Sequence, residues 1–231
     1  MCCKIILGVE CLFENIRTGI PGFDETVGGG FPSGSLILLY GRPGSGNSIF
    51  AAQVAYNRVS GGNPVTYFLS GKSIEEVKRE WATFGWNLDE YVDKGLLKIV
   101  ENFDSVGKIN LILEDIGKGH WIILDSLSSL LIFEDSTKKI VNFLTEISNQ
   151  AKKFGGLHFL LLTKDMHKPE VEVMVQHFVD GVISFSFEVR GLISVRNMVI
   201  LKMLGRNIPP DIIVFSVGEN GLSVETATRI T

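Results

Sequence analysis

Cysteine is scarce in this chain and poorly placed for structural work. The three that occur, Cys2, Cys3 and Cys11, crowd into the first eleven residues, an odd number with no C-x-x-C spacing and no histidine beside them. That argues against a disulfide framework or a zinc site and leaves free thiols in a reducing compartment as the expectation. The four histidines, His120, His158, His167 and His177, are scattered without ligand spacing, and no metal role follows from them. Long apolar runs are missing too. The longest, residues 121–133, contains Asp125 and falls short of the roughly 20 residues a bilayer requires. Residues 1–8 hold too brief an apolar core for a secretory signal, so a cytoplasmic location is expected. Nor is there a basic excess: 22 Lys and Arg against 26 Asp and Glu leave a net charge of −4, which argues against a surface built throughout to grip nucleic acid. A local basic patch stays open.

What is present is globular. Hydrophobic residues make up 45% and charged residues 21%, and 231 residues suffice for one α/β domain with a substantial core. No seam divides the chain, so a single domain over 1–231 is expected, with 1–12 as a lead-in.

The chain is organised around Gly41-Arg42-Pro43-Gly44-Ser45-Gly46-Asn47-Ser48. An apolar run over 35–40 precedes it and a helix-patterned segment from 49 to about 59 follows, which is the strand, glycine turn and helix order of a phosphate-binding loop. In the pattern G-x-x-x-x-G-K-[ST], glycines let backbone N–H groups face phosphate oxygens, the lysine reaches the β- and γ-phosphates, and the hydroxyl serves Mg²⁺. Seven of the eight positions fit. The lysine position is Asn47. The plain alternative is an ordinary strand-to-helix turn.

Along the chain, residues 65–69 read as a second buried strand, and Ser73 with Glu76 forms a capping box that opens a helix reaching about residue 84. This places Gly71 and Lys72 at a strand's C-terminal end, where open α/β sheets hold their ligands. Residues 95–100 suggest a third strand and 110–117 a short helix. Residues 121–126, an apolar run ending in Asp125 and Ser126, have the form of a Walker B strand. Asp125 would then hold Mg²⁺, directly or through water, together with the Ser48 hydroxyl; alternatively it caps the turn that follows. Residues 138–154 carry a helical stripe and 157–163 another strand, with 164–170 read as an exposed loop and Thr163 as a γ-phosphate sensor or a surface residue. Asp24 would cap a short helical turn in the lead-in. Residues 183–189, 195–203, 212–217 and 222–224 alternate with turns, including one at Pro209-Pro210, and suggest an antiparallel extension of the sheet.

Arg17-Thr18-Gly19-Ile20-Pro21-Gly22-Phe23-Asp24, followed by Gly28-Gly29-Gly30-Phe31-Pro32-Ser33-Gly34-Ser35, resembles the lead-in of KaiC-like proteins, a branch of the RecA superfamily of P-loop ATPases, here in a degenerate form of archaeal type. The similarity continues through Phe84-Gly85-Trp86-Asn87-Leu88 and Phe178-Val179-Asp180-Gly181-Val182-Ile183, and covers about residues 13 to 230. It implies a RecA-like fold with a mainly parallel central sheet flanked by helices. It also implies ATP or ADP with Mg²⁺ as ligands and assembly as a homo-oligomer, a hexameric ring among its forms. Counting back from residue 84, the family's adjacent glutamates, which activate the attacking water, fall on Gly71 and Lys72. In its late strand a K-x-R-x pattern reaches the neighbouring subunit's nucleotide. Lys202 matches the lysine, or else is an ordinary strand charge, and the arginine position is Leu204, with Arg206 two residues on.

These substitutions predict an ATP- or ADP-binding chain with little or no hydrolysis, in a regulatory or signalling role. Arg42 and Lys72 are the cations placed to replace the missing lysine. Two other readings stand beside it: a nucleotide-free scaffold of the same fold, and a recombinase paralogue assisting DNA repair. The acidic charge lowers the second of these.

Overall fold

A computed structural model of the chain describes residues 14–191, 193–207 and 211–224. The three cysteines and the turn at Pro209-Pro210 lie outside the described residues.

The lead-in folds as a small antiparallel pair, β1 (Asn15–Ile16) with β2 (Phe31–Pro32), around one helical turn, α1 (Phe23–Thr26). Asp24 does not cap that turn. It sits inside it, behind a Gly22 N-cap, and its carboxylate accepts from Thr18 N at 2.8 Å, Thr18 Oγ1 at 2.9 Å and Gly19 N at 2.8 Å. Buried carboxylates need such donors, and the preceding turn supplies them.

Then follow β3 (Ser35–Gly41), α2 (Asn47–Ser60), β4 (Val65–Leu69), α3 (Ile74–Ala82), α4 (Leu88–Asp93), β5 (Leu97–Val100), α5 (Ile109–Gly117), β6 (Trp121–Asp125), α6 (Leu127–Ile132), α7 (Thr137–Phe154), β7 (Leu157–Thr163) and α8 (Pro169–Phe178). The chain ends in β8 (Gly181–Arg190), β9 (Ile193–Met203), β10 (Ile213–Gly218) and β11 (Gly221–Val224). Nine strands make one sheet in the order β11-β10-β9-β8-β3-β7-β6-β4-β5. Pairing is parallel from β8 through β3 to β5 and antiparallel from β8 to β11, as the fold class expected from sequence requires.

Every residue of β3 is buried, because helices cover both of its faces. Ile37 and Leu39 face a core shared with α2 and α3, where Phe50 meets Phe23, Phe159 and Phe185 at ring distances of 5.1, 6.3 and 5.5 Å. Leu36, Leu38 and Tyr40 face a second core under α5, α6, α7 and α8. This two-residue alternation fixes the strand's register and so the height of the turn that leaves it. Gly41 ends level with Thr163 on β7 and Phe185 on β8, and Asp125 ends β6 beside Leu69 on β4. The carboxyl ends of four parallel strands therefore meet on one edge of the sheet.

Three helices were not expected from sequence. α4 starts on an Asn87 cap and α6 on a Ser126 cap, so Ser126, not Asp125, closes the turn after β6. α8 starts with Pro169 at its first position, where the residues before it had read as open loop.

Candidate functional site

Gly44 and Gly46 take φ of +81° and +100°, a region side chains rarely enter, and this turns the 41–48 loop back into the start of α2. Ser45 N donates to Arg42 O at 3.1 Å and Phe50 N to Gly46 O at 3.0 Å, which closes the turn and opens the helix. Gly46 caps α2 with no side chain, so the helix presents its first N–H groups and the positive end of its dipole to the loop. Asn47 modifies that end. Its Oδ1 accepts from Ser48 N at 3.0 Å, which places an amide oxygen where the phosphate-loop pattern expects an ammonium. The Ser45 hydroxyl is buried with no hydrogen-bond partner.

The loop is braced from the antiparallel half of the sheet. Arg196 on β9 lies 5.1 Å from the Phe187 ring centroid and donates from Nε to Gly44 O at 3.3 Å. Phe215 on β10 covers Gly46 so closely that a Cβ there would stand 2.9 Å from its ring. Sequence reasoning passed over Arg196, which lies 152 residues from the carbonyl it contacts.

The two cations placed to replace the missing lysine part company. Arg42 turns outward and donates from Nε and Nη2 to Asp165 Oδ2 at 2.8 and 2.5 Å, with both side chains half exposed or more. Lys72 turns inward. Its Nζ is 2.8 Å from Asp125 Oδ2 and 3.4 Å from Glu80 Oε1, and the Asp125 side chain is only 5% exposed. Burial by itself would lower the Lys72 pKa, but Asp125 and then Glu80 hold it above the ordinary lysine value. Tyr67 lies against the same carboxylate, its hydroxyl 3.5 Å from Oδ2, and burial followed by the Asp125 charge pushes its pKa far up. Glu80 shares with Ser48, Ile49 and Phe84 the wall of a cavity of about 250 Å³ at the start of α2, which neither Lys72 nor Asp125 lines.

Gly71 shows why no carboxylate stands beside Lys72. Its φ is +78°, and an added Cβ would lie 2.8 Å from Ser129 Oγ on α6. The backbone after β4 is shaped for glycine. Thr163 reaches the same edge, its N–H taken by Ser128 Oγ at 2.7 Å. Lys202 is elsewhere. Its ammonium donates to Gln176 O, His177 O and Val179 O at 3.1, 2.8 and 2.6 Å, closing the end of α8, and β9 pairs it with Val182 at the opposite end of the sheet from the loop. Arg206 is likewise occupied, donating to Gly28 O and Gly30 O at 2.7 and 2.5 Å.

Compared with known families, residues 16–229 match the one described as the KaiC ATPase. The chain belongs to the KaiC family of ATPases. Among relatives of this KaiC-family chain, a UPF0273 protein of Thermotoga maritima is 27% identical, the alignment covering 84% of this chain and 88% of the relative. One from Pyrococcus furiosus is 26% identical over 92% of this chain and 94% of its own length. The crystal structure of a KaiC-like protein from Pyrococcus horikoshii superimposes with a TM-score of 0.77 at 26% identity, covering 93% of this chain and all of that one. Membership supports nucleotide binding and, for the family generally, use of Mg²⁺.

The residues present fit Mg²⁺ poorly. The ion wants near-octahedral oxygen ligands at about 2.0–2.1 Å, and the carboxylate oxygen that would lead the set already holds an ammonium. Among the described residues no group of three His, Cys, Asp or Glu side chains is arranged for a metal. No described helix is long and apolar enough to cross a membrane.

Proposed function

We propose that this chain binds ATP or ADP at Gly41 to Ser48 and hydrolyses it slowly or not at all, using the nucleotide as a structural or signalling ligand in a cytoplasmic, homo-oligomeric protein. The observation that carries this reading is the contrast on one sheet edge. The turn and helix start are shaped to receive an anion, while after β4, where the resemblance puts the family's water-activating carboxylates, stand Gly71 and a cation paired to Asp125. Removing one electrostatic donor from a reacting centre costs about 10²–10³ in rate, and here the water-activating groups are absent as well. Equilibrium titration with labelled ATP together with a phosphate-release assay tests it. Saturable binding with negligible turnover is expected, and turnover at the rate of intact relatives would refute it.

One observation favours a second reading, a scaffold without nucleotide. Asn47 Oδ1 and the Lys72 pairing satisfy from within some of the groups a phosphate would otherwise meet. That reading predicts no saturable binding at millimolar nucleotide. Light scattering after size exclusion, with and without nucleotide, tests the oligomer; a monomer in both conditions counts against it.

A further inference from the structure

The poor metal fit has a structural cause, the Lys72 side chain. An ammonium lies 2.8 Å from Asp125 Oδ2, against the carboxylate that in this fold would face a divalent ion. Two positive centres do not share one carboxylate oxygen at contact distance without strong repulsion in a site this buried. An ammonium carries three donors. Asp125 takes one at full strength, Glu80 takes a second at a loose 3.4 Å, and the third meets no acceptor among the described residues. Glu80 is about half exposed and lines the cavity beside Ser48, and Asp125, which holds the ammonium, ends β6 on the same sheet edge that carries the loop.

We propose that this site takes a nucleoside polyphosphate as the free anion, without a divalent metal, with the Lys72 ammonium held on Asp125 supplying the positive charge that the loop lysine and the metal would otherwise share. The inference rests on the nucleotide reading above. Asp125 is then a positioning residue for Lys72 and not a metal ligand. Ser48 contributes its hydroxyl to phosphate and needs no ion in between.

The test is equilibrium titration of the full chain with fluorescent ADP and ATP, in EDTA and in excess Mg²⁺. Affinities within about threefold of each other are expected. Lys72→Met should weaken binding in EDTA by about 10- to 100-fold, the worth of a charged hydrogen bond, and should make the residual binding respond to Mg²⁺. Because that variant leaves Asp125 buried without its partner and risks the fold, Lys72→Arg and Asp125→Asn are measured beside it. The first keeps a cation and should keep binding in EDTA. The second unseats the ammonium and should weaken binding about equally in EDTA and in Mg²⁺, whereas a metal site would lose affinity only where the ion is present. Binding only with Mg²⁺, or a loss in Asp125→Asn confined to the Mg²⁺ titration, overturns the metal-free site and leaves the nucleotide reading intact. No binding in either condition overturns the nucleotide reading and this inference with it.

Discussion

At position 47 a neutral amide replaces a cation, and the amide oxygen folds back onto Ser48 N instead of reaching across the loop. Asn47→Lys therefore changes two things at once: it frees a helix N-terminal N–H and adds a charge at the mouth of the turn. Nucleotide affinity is expected to rise by about 10- to 100-fold in the same fluorescence titration. Phosphate release is expected to stay at background, because the residue at 71 is still glycine. If hydrolysis appears in that variant, some other group is activating water. Both features were legible before any coordinates. Asn47 breaks a pattern inside eight residues, and the resemblance puts Gly71 and Lys72 where the family's carboxylates are expected. The partners were not legible. Lys72 and Asp125 are 53 residues apart and Arg196 and Gly44 are 152 apart, and nothing in the local spacing of either stretch records a contact across the sheet.

Among the elements, the strands of the main sheet and the longer helices could be read from periodicity and caps, down to the Ser73 and Glu76 box at the start of α3, whereas the β1–β2 pair of the lead-in could not. α8 could not, and the reason is chemical. Val171, Val173 and Val175 recur at every second position as in a strand, and β-branched valine is a weak helix former. Long-range bonds decide the matter. Buried Glu172 accepts from Met166 N and His167 N at 3.1 Å and from the Tyr40 hydroxyl at 2.5 Å, anchoring the helix start to the strand that feeds the loop. Burial and the Glu172 bond together push the Tyr40 pKa far above the ordinary tyrosine value. At its other end α8 closes on the Lys202 ammonium, a cation at a helix C-terminus. Lys202→Ala should lower unfolding stability by about 1–2 kcal/mol in urea melts, while nucleotide affinity stays unchanged. A drop in affinity at constant stability would instead point to a nucleotide contact across a subunit boundary.

For the molecule as a whole, acid is expected to act through the layer beneath the sheet. His158 on β7 is buried, accepting from Ile122 N at Nδ1 (3.3 Å) and standing 2.9 Å from Gly155 O at Nε2, a pairing that suits the neutral ring with its proton on Nε2. Burial lowers its pKa from 6.5 to about 4. The unfolded chain thus binds a proton before the folded chain does, and stability falls as pH drops from 6.5 toward 4. The loss amounts to at most about 3 kcal/mol over that window. His120 and His167 are also lowered, chiefly by burial, and act in the same direction. Urea melts across this pH range should slope less steeply for His158→Gln than for the natural chain, and equal slopes would show that the ring titrates normally.

The clasp that Arg196, Phe187 and Phe215 form over the glycine turn has a kinetic reading. A turn already moulded by its own sheet spends little ordering entropy when a guest arrives, so capture should proceed in one step, at a rate proportional to nucleotide concentration and without a slow rearrangement behind it.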